Sequence, residues 1–302
     1  IVQYPIVFLG GDPRITPALY SIMSHIDFNL GVWYPEGGLG RVFDALKKLG
    51  EGLGVDVRCG EEVLGISEDR NGLRVKTING DYLAESVVMN GDYHHLEADL
   101  LLKDSVAYDE RYWEKRTVAP SAFIAYLGLN KRIEGLEHHT LVFAHDWERH
   151  FREIFINPSW TKKPSYYVCC PSKTDLSVVP GDYFENLFLL VPLASGLEDS
   201  DEQREGYFEM VISHLESLVG EDIRSHIVVK RLYTHRDFSL DYHAYRGTAL
   251  GLSHSLFQSA FWRPKMKHPK VKNLYYVGQY THPGIGVPMG LISSEIVAKS
   301  YF

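Results

Sequence analysis

Apolar residues at helical spacing, Val42, Phe43, Leu46 and Leu49, predict a helix from Leu39 that ends at Gly50, Gly52 and Gly54. Ahead of it, Thr16 and Pro17 read as N-cap and first turn of a short buried helix carrying Leu19, Tyr20, Ile22, Met23 and Ile26. Tyr34 to Gly38 reads as a turn. After the helix, strand-like runs at Val55–Arg58, Glu62–Glu68, Leu73–Ile78 and Tyr82–Met89 follow in close succession. Asn71-Gly72 and Asn79-Gly80 separate the last three, which predicts a β-meander. From Leu96 to about Arg236, strand-like runs at Ala122–Leu129, Thr140–Ala144, Tyr166–Cys170 and Leu187–Pro192 accompany an amphipathic helix near Glu202–Leu218. That pattern implies a broad, largely antiparallel sheet with helices over one face. The closing segment reads as strand Asn273–Val277, loop Gly278–Pro288 and helix Met289–Tyr301.

The strand ends of the middle region are rich in Tyr, Phe and Trp, so a large apolar ligand could lie across that sheet. The same aromatics are what an ordinary core contains. Composition then narrows the class. The 302 residues are 45 % hydrophobic and 23 % charged, which is globular with room for two domains. The net charge of −8 is interleaved along the chain, without a basic stripe, and argues against nucleic acid as a partner. Cys59, Cys169 and Cys170 make no disulfide framework and suit a reducing, cytoplasmic compartment. The longest apolar stretch, Leu187 to Ala194, is shorter than the roughly 20 residues of a membrane span, so any membrane contact is peripheral. The opening Ile1-Val2-Gln3-Tyr4 has neither an initiator methionine nor a capping signal and reads as an entry into mid-domain.

The closing loop holds the densest chemistry. Gly278, Gly284, Gly286 and Gly290 allow a ligand close to the backbone, and the following helix directs free N–H groups and its positive end at it. A phosphate or an electron-rich ring edge suits such a place, and so does a plain structural turn; the spacing alone separates neither. The histidine pairs His94-His95 and His138-His139 diverge if they lie on strands, and His145 with His150 misses the helical metal spacing, so no metal site is expected. Cys169-Cys170 reads as packing.

Four stretches, Phe8 to Pro13 with Thr16-Pro17-Ala18, Gly31 to Gly38, Tyr166 to Val179 and Asn273 to Gly290, carry a resemblance to the bacterial and archaeal-type phytoene desaturases. These form a branch of the flavin amine-oxidase-like proteins, and the resemblance runs nearly end to end. It implies an α/β fold with α+β character: a partial FAD-binding, Rossmann-like domain over 31–95 and 237–302, and a substrate domain over 1–30 and 96–236. It implies FAD as cofactor and a phytoene-like apolar polyene as substrate. Gly37 and Gly38 look like the double glycine at the domain junction, and Val63 like the strand residue facing the adenine. Gly278, Gln279 and the run Pro283, Gly284, Ile285, Gly286, Val287 and Met289 look like the loop and helix start that meet the cofactor. The family's usual acidic residue after the glycine is Gln279 here.

The resemblance further implies hydride transfer from an allylic carbon to flavin with proton loss from the neighbouring carbon. His282 is the one candidate for a polar catalytic role in the loop, a structural role being the alternative. The same scaffold also serves polyene isomerases, ketolases, saturases and amine oxidases. The family's G-x-G-x-x-G unit does not occur in Ile1 to Phe302. The chain is therefore expected to be an N-terminally truncated piece that alone binds FAD weakly or not at all, and an inactive binding module stays open.

Overall fold

The computed structural model describes residues 5–302, so the expected cut end at Ile1–Tyr4 lies outside the described residues. In chain order the strands are β1 (Val63–Asp69), β2 (Gly72–Thr77), β3 (Asp81–Ala84), β4 (Val87–Met89), β5 (Ser121–Leu129), β6 (His139–Val142), β7 (Tyr166–Cys169), β8 (Glu185–Leu193), β9 (Ile227–Tyr233) and β10 (Leu274–Tyr276). The longer α-helices are α1 (Gly40–Gly52), α2 (Trp147–Phe155), α3 (Asp201–Val219), α4 (His235–Tyr242) and α5 (Val287–Tyr301). They fall into two compact units, one of Ile1–Leu30, Arg58–Pro120 and Asp237–Phe302, the other of Gly31–Val57 and Ser121–Arg236.

In the first unit, β1, β2 and β3 form the expected antiparallel meander, with Asp69 opposite Gly72 and Lys76 opposite Asp81 across its two turns. Val55–Arg58 is not a strand, and the run Tyr82–Met89 breaks in two. Its second half, β4, leaves the meander and pairs in parallel with β10, Leu274 opposite Val87 and Tyr276 opposite Met89. Around that pair Leu73, Tyr93, Leu96, Trp113, Leu274 and Tyr276 form a buried core in which the rings of Tyr93 and Tyr276 stack at 3.8 Å. Glu97 is fully buried there, yet its carboxyl is held below its usual range. Burial opposes the charge, but the His268 ring nitrogen 3.3 Å away, the Ala107 N–H at 2.6 Å and the Tyr276 hydroxyl at 2.7 Å prevail.

The helix after Thr16 forms, as a 3-10 turn over Ala18–Ser21 and an α-helical turn over Ile22–His25, but it is not buried: Leu19 is 77 % and Ile22 52 % exposed. Thr16 is not its cap either, because its hydroxyl donates to the Asp12 carbonyl at 2.8 Å.

The second unit is built on one antiparallel sheet in the order β6-β7-β8-β5-β9. Alternation sorts its faces. Phe123, Ala125, Leu127, Tyr166, Val168, Leu187, Leu189 and Val191 face Tyr207, Phe208, Val211, Ile212 and Leu215 of α3. The helix α3 starts with the Ser200 hydroxyl accepting the Gln203 N–H at 3.1 Å and stops at Gly220 in the left-handed region. The strand β9 lacks a clear apolar alternation and was not expected.

The apolar stripe of α1 is helical, but Phe43 is 55 % and Leu49 60 % exposed. The expected domain split of 31–95 with 237–302 and 1–30 with 96–236 also differs from the compact units. Pairing of β4 with β10, and the shared core of Leu96, Leu100 and Trp113, keep 58–120 together; a hydrogen bond from Gly37 to Asp175 ties 31–57 to the sheet unit.

Candidate functional site

The loop between β10 and α5 is held rigidly from beneath. Gly278 N–H donates to the Ser293 hydroxyl at 2.9 Å, and the Thr281 hydroxyl bonds the Gly278 carbonyl and Ser293 at 3.0 Å each. The buried Arg263 guanidinium donates to the carbonyls of Tyr280 at 3.2 Å, Thr281 at 3.0 Å and Gln279, and on its other side to Gln258 at 3.1 Å and Leu252 at 3.4 Å. Burial pushes its pKa down to about 10, so it stays charged at neutral pH. The buried Tyr280 hydroxyl bonds Asp92. Sequence reasoning missed Arg263 because its partners are backbone carbonyls, which carry no sequence signal.

The glycines divide by purpose. Gly278 (φ 97°) and Gly284 (φ 134°) leave no room for a Cβ, which would strike Asn90 and the His254 ring respectively. They are required by the loop's own packing. Gly286 (φ 119°) has nothing nearer than 3.8 Å, and Gly290 has open space. At that open place α5 begins without a side-chain cap, so the first-turn N–H groups of Val287 and Met289 have no intrahelical acceptor. Helix α5 starts two residues ahead of the expected Met289, with Pro288 in its first turn.

His254 supports Gly284 from below. Its Nδ1 bonds the Leu9 carbonyl at 2.8 Å, and burial, with the Arg263 charge adding, holds its pKa down to about 4. His282, Gly286, Val287 and Pro288 are exposed; Gln279, Pro283 and Met289 are half-buried; Ile285 is buried. Val63, on β1, packs against the core that holds Tyr280. These residues share the first unit. An uncapped helix start beside an unobstructed glycine fits the electron-rich edge of a flavin, with Gly286, Val287 and Met289 as the backbone groups that would hold it.

Gly37 and Gly38 lie in the second unit, at φ 81° and 90° in the turn before α1. Gly37 N–H donates to Asp175 at 2.7 Å, and hydrogen bonds from Ser177 and from Gly37 hold the Asp175 carboxyl below its usual range. The Gly31–Gly38 and Tyr166–Val179 stretches are thereby joined.

The sheet face away from α3 carries an open apolar groove of about 400 Å³, lined by Tyr126, Phe188, Val179, Pro180, Phe184 and Val229 among others. On the same face His138 and His139 do not diverge as expected: His138 precedes β6, and the two rings lie 4.2 Å apart. Among the described residues no helix is long and apolar enough to cross a membrane.

The chain is 50 % identical over 301 residues to a carotenoid 3,4-desaturase of Haloarcula japonica, covering 99 % of this chain and 61 % of that protein. It is 32 % identical to a 4,4'-diapophytoene desaturase of a Methylomonas species and 30 % identical to a lycopene-forming phytoene desaturase of Pantoea ananas, covering 97 % and 95 % of this chain and 58 % and 59 % of theirs. It thus spans about three-fifths of these relatives' length. Among solved structures, an oxidoreductase from Methanosarcina mazei matches with a TM-score of 0.58 at 15 % identity, over 88 % of this chain and 55 % of that one, a likeness of fold. Residues 7–300 match the model of the flavin containing amine oxidoreductases, and the chain belongs to that family.

Proposed function

We propose that this chain belongs to an FAD-dependent carotenoid desaturase that introduces a double bond into an apolar, phytoene-like polyene. The observation that carries the reading is the 50 % identity with a carotenoid 3,4-desaturase along 99 % of the chain. The first unit then serves the cofactor and the second the substrate. Gly286, Val287 and Met289 hold the electron-rich edge of the ring by backbone N–H groups, and Gln279 takes the place of the family's acidic residue beside it. Val63, on β1 of the same unit, adds a backbone contact to the cofactor.

A bound flavin supplies the acceptor for the hydride of an allylic carbon–hydrogen bond as the neighbouring carbon loses a proton. The groove of Tyr126, Phe188 and Val179 aligns the chain of the polyene and keeps water from it. Such a substrate resides in a bilayer, so peripheral membrane contact of a cytoplasmic protein belongs to the same proposal. His282 is the candidate for a polar role next to the ring.

The test is the protein expressed from its complete reading frame, loaded with FAD and given phytoene or an already conjugated polyene in liposomes, with products resolved by absorbance. New, longer chromophores are expected, and Phe188→Asp should abolish them while flavin content is retained. Oxidation of amines with both polyenes left unchanged would overturn the reading.

A further inference from the structure

Three metal-ligating side chains converge on the second unit at the edge of its sheet. His139 on β6 and Cys169 on β7 are directly opposed across the antiparallel pair, where side chains project to the same face. His138 joins them because its carbonyl accepts the Cys170 N–H at 2.8 Å, which brings it alongside β7. One ligand atom from each of the three lies within 4.8 Å of the others, and the His139 Nδ1 is 4.0 Å from the Cys169 sulfur.

The surroundings suit a cation. The Thr174 hydroxyl at 2.6 Å engages His138 Nδ1 and fixes the ring, leaving Nε2 buried with no hydrogen-bond partner. That is the arrangement in which a ligating imidazole has its other nitrogen oriented by a neighbour. Tyr34 packs edge-on against His138 at 4.7 Å, and the Tyr167 hydroxyl bonds His139 Nδ1 at 2.6 Å, a bond that ligation through this nitrogen would replace.

We propose that His138, His139 and Cys169 bind one borderline-to-soft transition-metal cation, Zn2+ in the first instance, through two imidazole nitrogens and a thiolate. Zinc–ligand bonds of about 2.0–2.3 Å set ligand atoms roughly 3.5 Å apart in a tetrahedron. Small side-chain torsions close the remaining gap. His139 is exposed, so the fourth position is open to water or to an added ligand. The Cys169 thiol gives up its proton on binding, so affinity rises with pH. The ion would fasten the edge strand β6 to β7. It would also fix Tyr34, whose segment leads into the Gly37-Gly38 turn. The site does not depend on the flavin reading.

Titration of the folded chain with Co2+, followed by displacement with Zn2+, tests it. One Co2+ per chain should appear with tetrahedral d–d bands and a thiolate-to-metal charge-transfer band. Cys169→Ser should remove the charge-transfer band and weaken Zn2+ at least about tenfold, whereas Cys59→Ser should change neither. If Cys169→Ser lowers the melting temperature, His139→Gln at an exposed position carries the test, again with a tenfold loss. A Co2+ spectrum without the thiolate band, or Zn2+ affinity equal in the wild type and these variants, overturns the proposal.

Discussion

Replacing Arg263 by Met keeps most of the side chain's length and removes all of its donors. Three loop carbonyls, Gln279, Tyr280 and Thr281, and two behind them, Leu252 and Gln258, then lose a charged partner in a region closed to water. A buried hydrogen bond left unmade costs about 1–1.5 kcal/mol at the low end, and the relief of an otherwise desolvated guanidinium works in the opposite direction. Counting only the three bonds near 3 Å gives a destabilisation of roughly 3–5 kcal/mol. Arg263→Lys should recover only part of this, since an ammonium is a point donor that cannot span both sets of carbonyls. Urea unfolding followed by hydrogen-exchange mass spectrometry, reading peptides of the first unit separately from those of the sheet unit, gives the number. The loss should be confined to the first unit and should include early exchange in 278–286. If Arg263→Met unfolds within about 1 kcal/mol of wild type, the guanidinium is not what holds the loop.

Other outcomes follow from the same loop. In the unfolded chain His254 titrates near 6.5 but in the fold at about 4, so between these values only the unfolded state gains a proton. Its contribution is complete above pH 6.5 and is lost as pH falls to 4, on the order of 3 kcal/mol, and a His254→Asn variant should show a flatter acid slope in stability measured from pH 7 to 4. Buried His150 and His235, also shifted down mainly by burial, act in the same direction in both proteins and cancel in the comparison. Gly284→Ala drives a methyl into the His254 ring at φ 134° and should lower stability by roughly 2–4 kcal/mol, whereas Gly286→Ala meets only backbone strain of about 1–2 kcal/mol; equal calorimetric losses would refute the division of the glycines. His282→Phe in the FAD-loaded full-length protein should cut polyene turnover at least about tenfold with flavin content unchanged; turnover equal to wild type would leave this exposed residue outside the chemistry.

Local pattern made the elements legible and left their partners hidden. The meander, α3 and the strand-loop-helix ending follow from alternation, Asn-Gly turns and helical spacing, all of which act within a few residues. The parallel pairing of β4 with β10 joins positions far apart in sequence, so the run Tyr82–Met89 reads as one strand where the fold has two. Burial was equally out of reach: the stripe of α1 and the turn at Leu19 have the pattern of buried helices yet lie exposed, because a moment says which side is apolar and not what covers it. The histidine pair shows the converse, since His138 lies just ahead of β6 and its ring comes to rest 4.2 Å from that of His139.

The closing loop is where these limits bear on function. Its glycines suggested a ligand cradle, but two of the four are consumed by Asn90 and His254, residues that no spacing rule connects to the loop. What remains for a ligand is narrower: Gly286, the N–H groups of Val287 and Met289, and open space at Gly290. Rigidity comes from Arg263 beneath, which holds a positive charge against the carbonyl side of the loop while the helix start offers its positive end on the other. The field of the helix start favours an electron-rich group beside Gly286, and a loop free to breathe would blur it. The support beneath the glycines, more than the glycines themselves, is therefore what sets the shape of this segment.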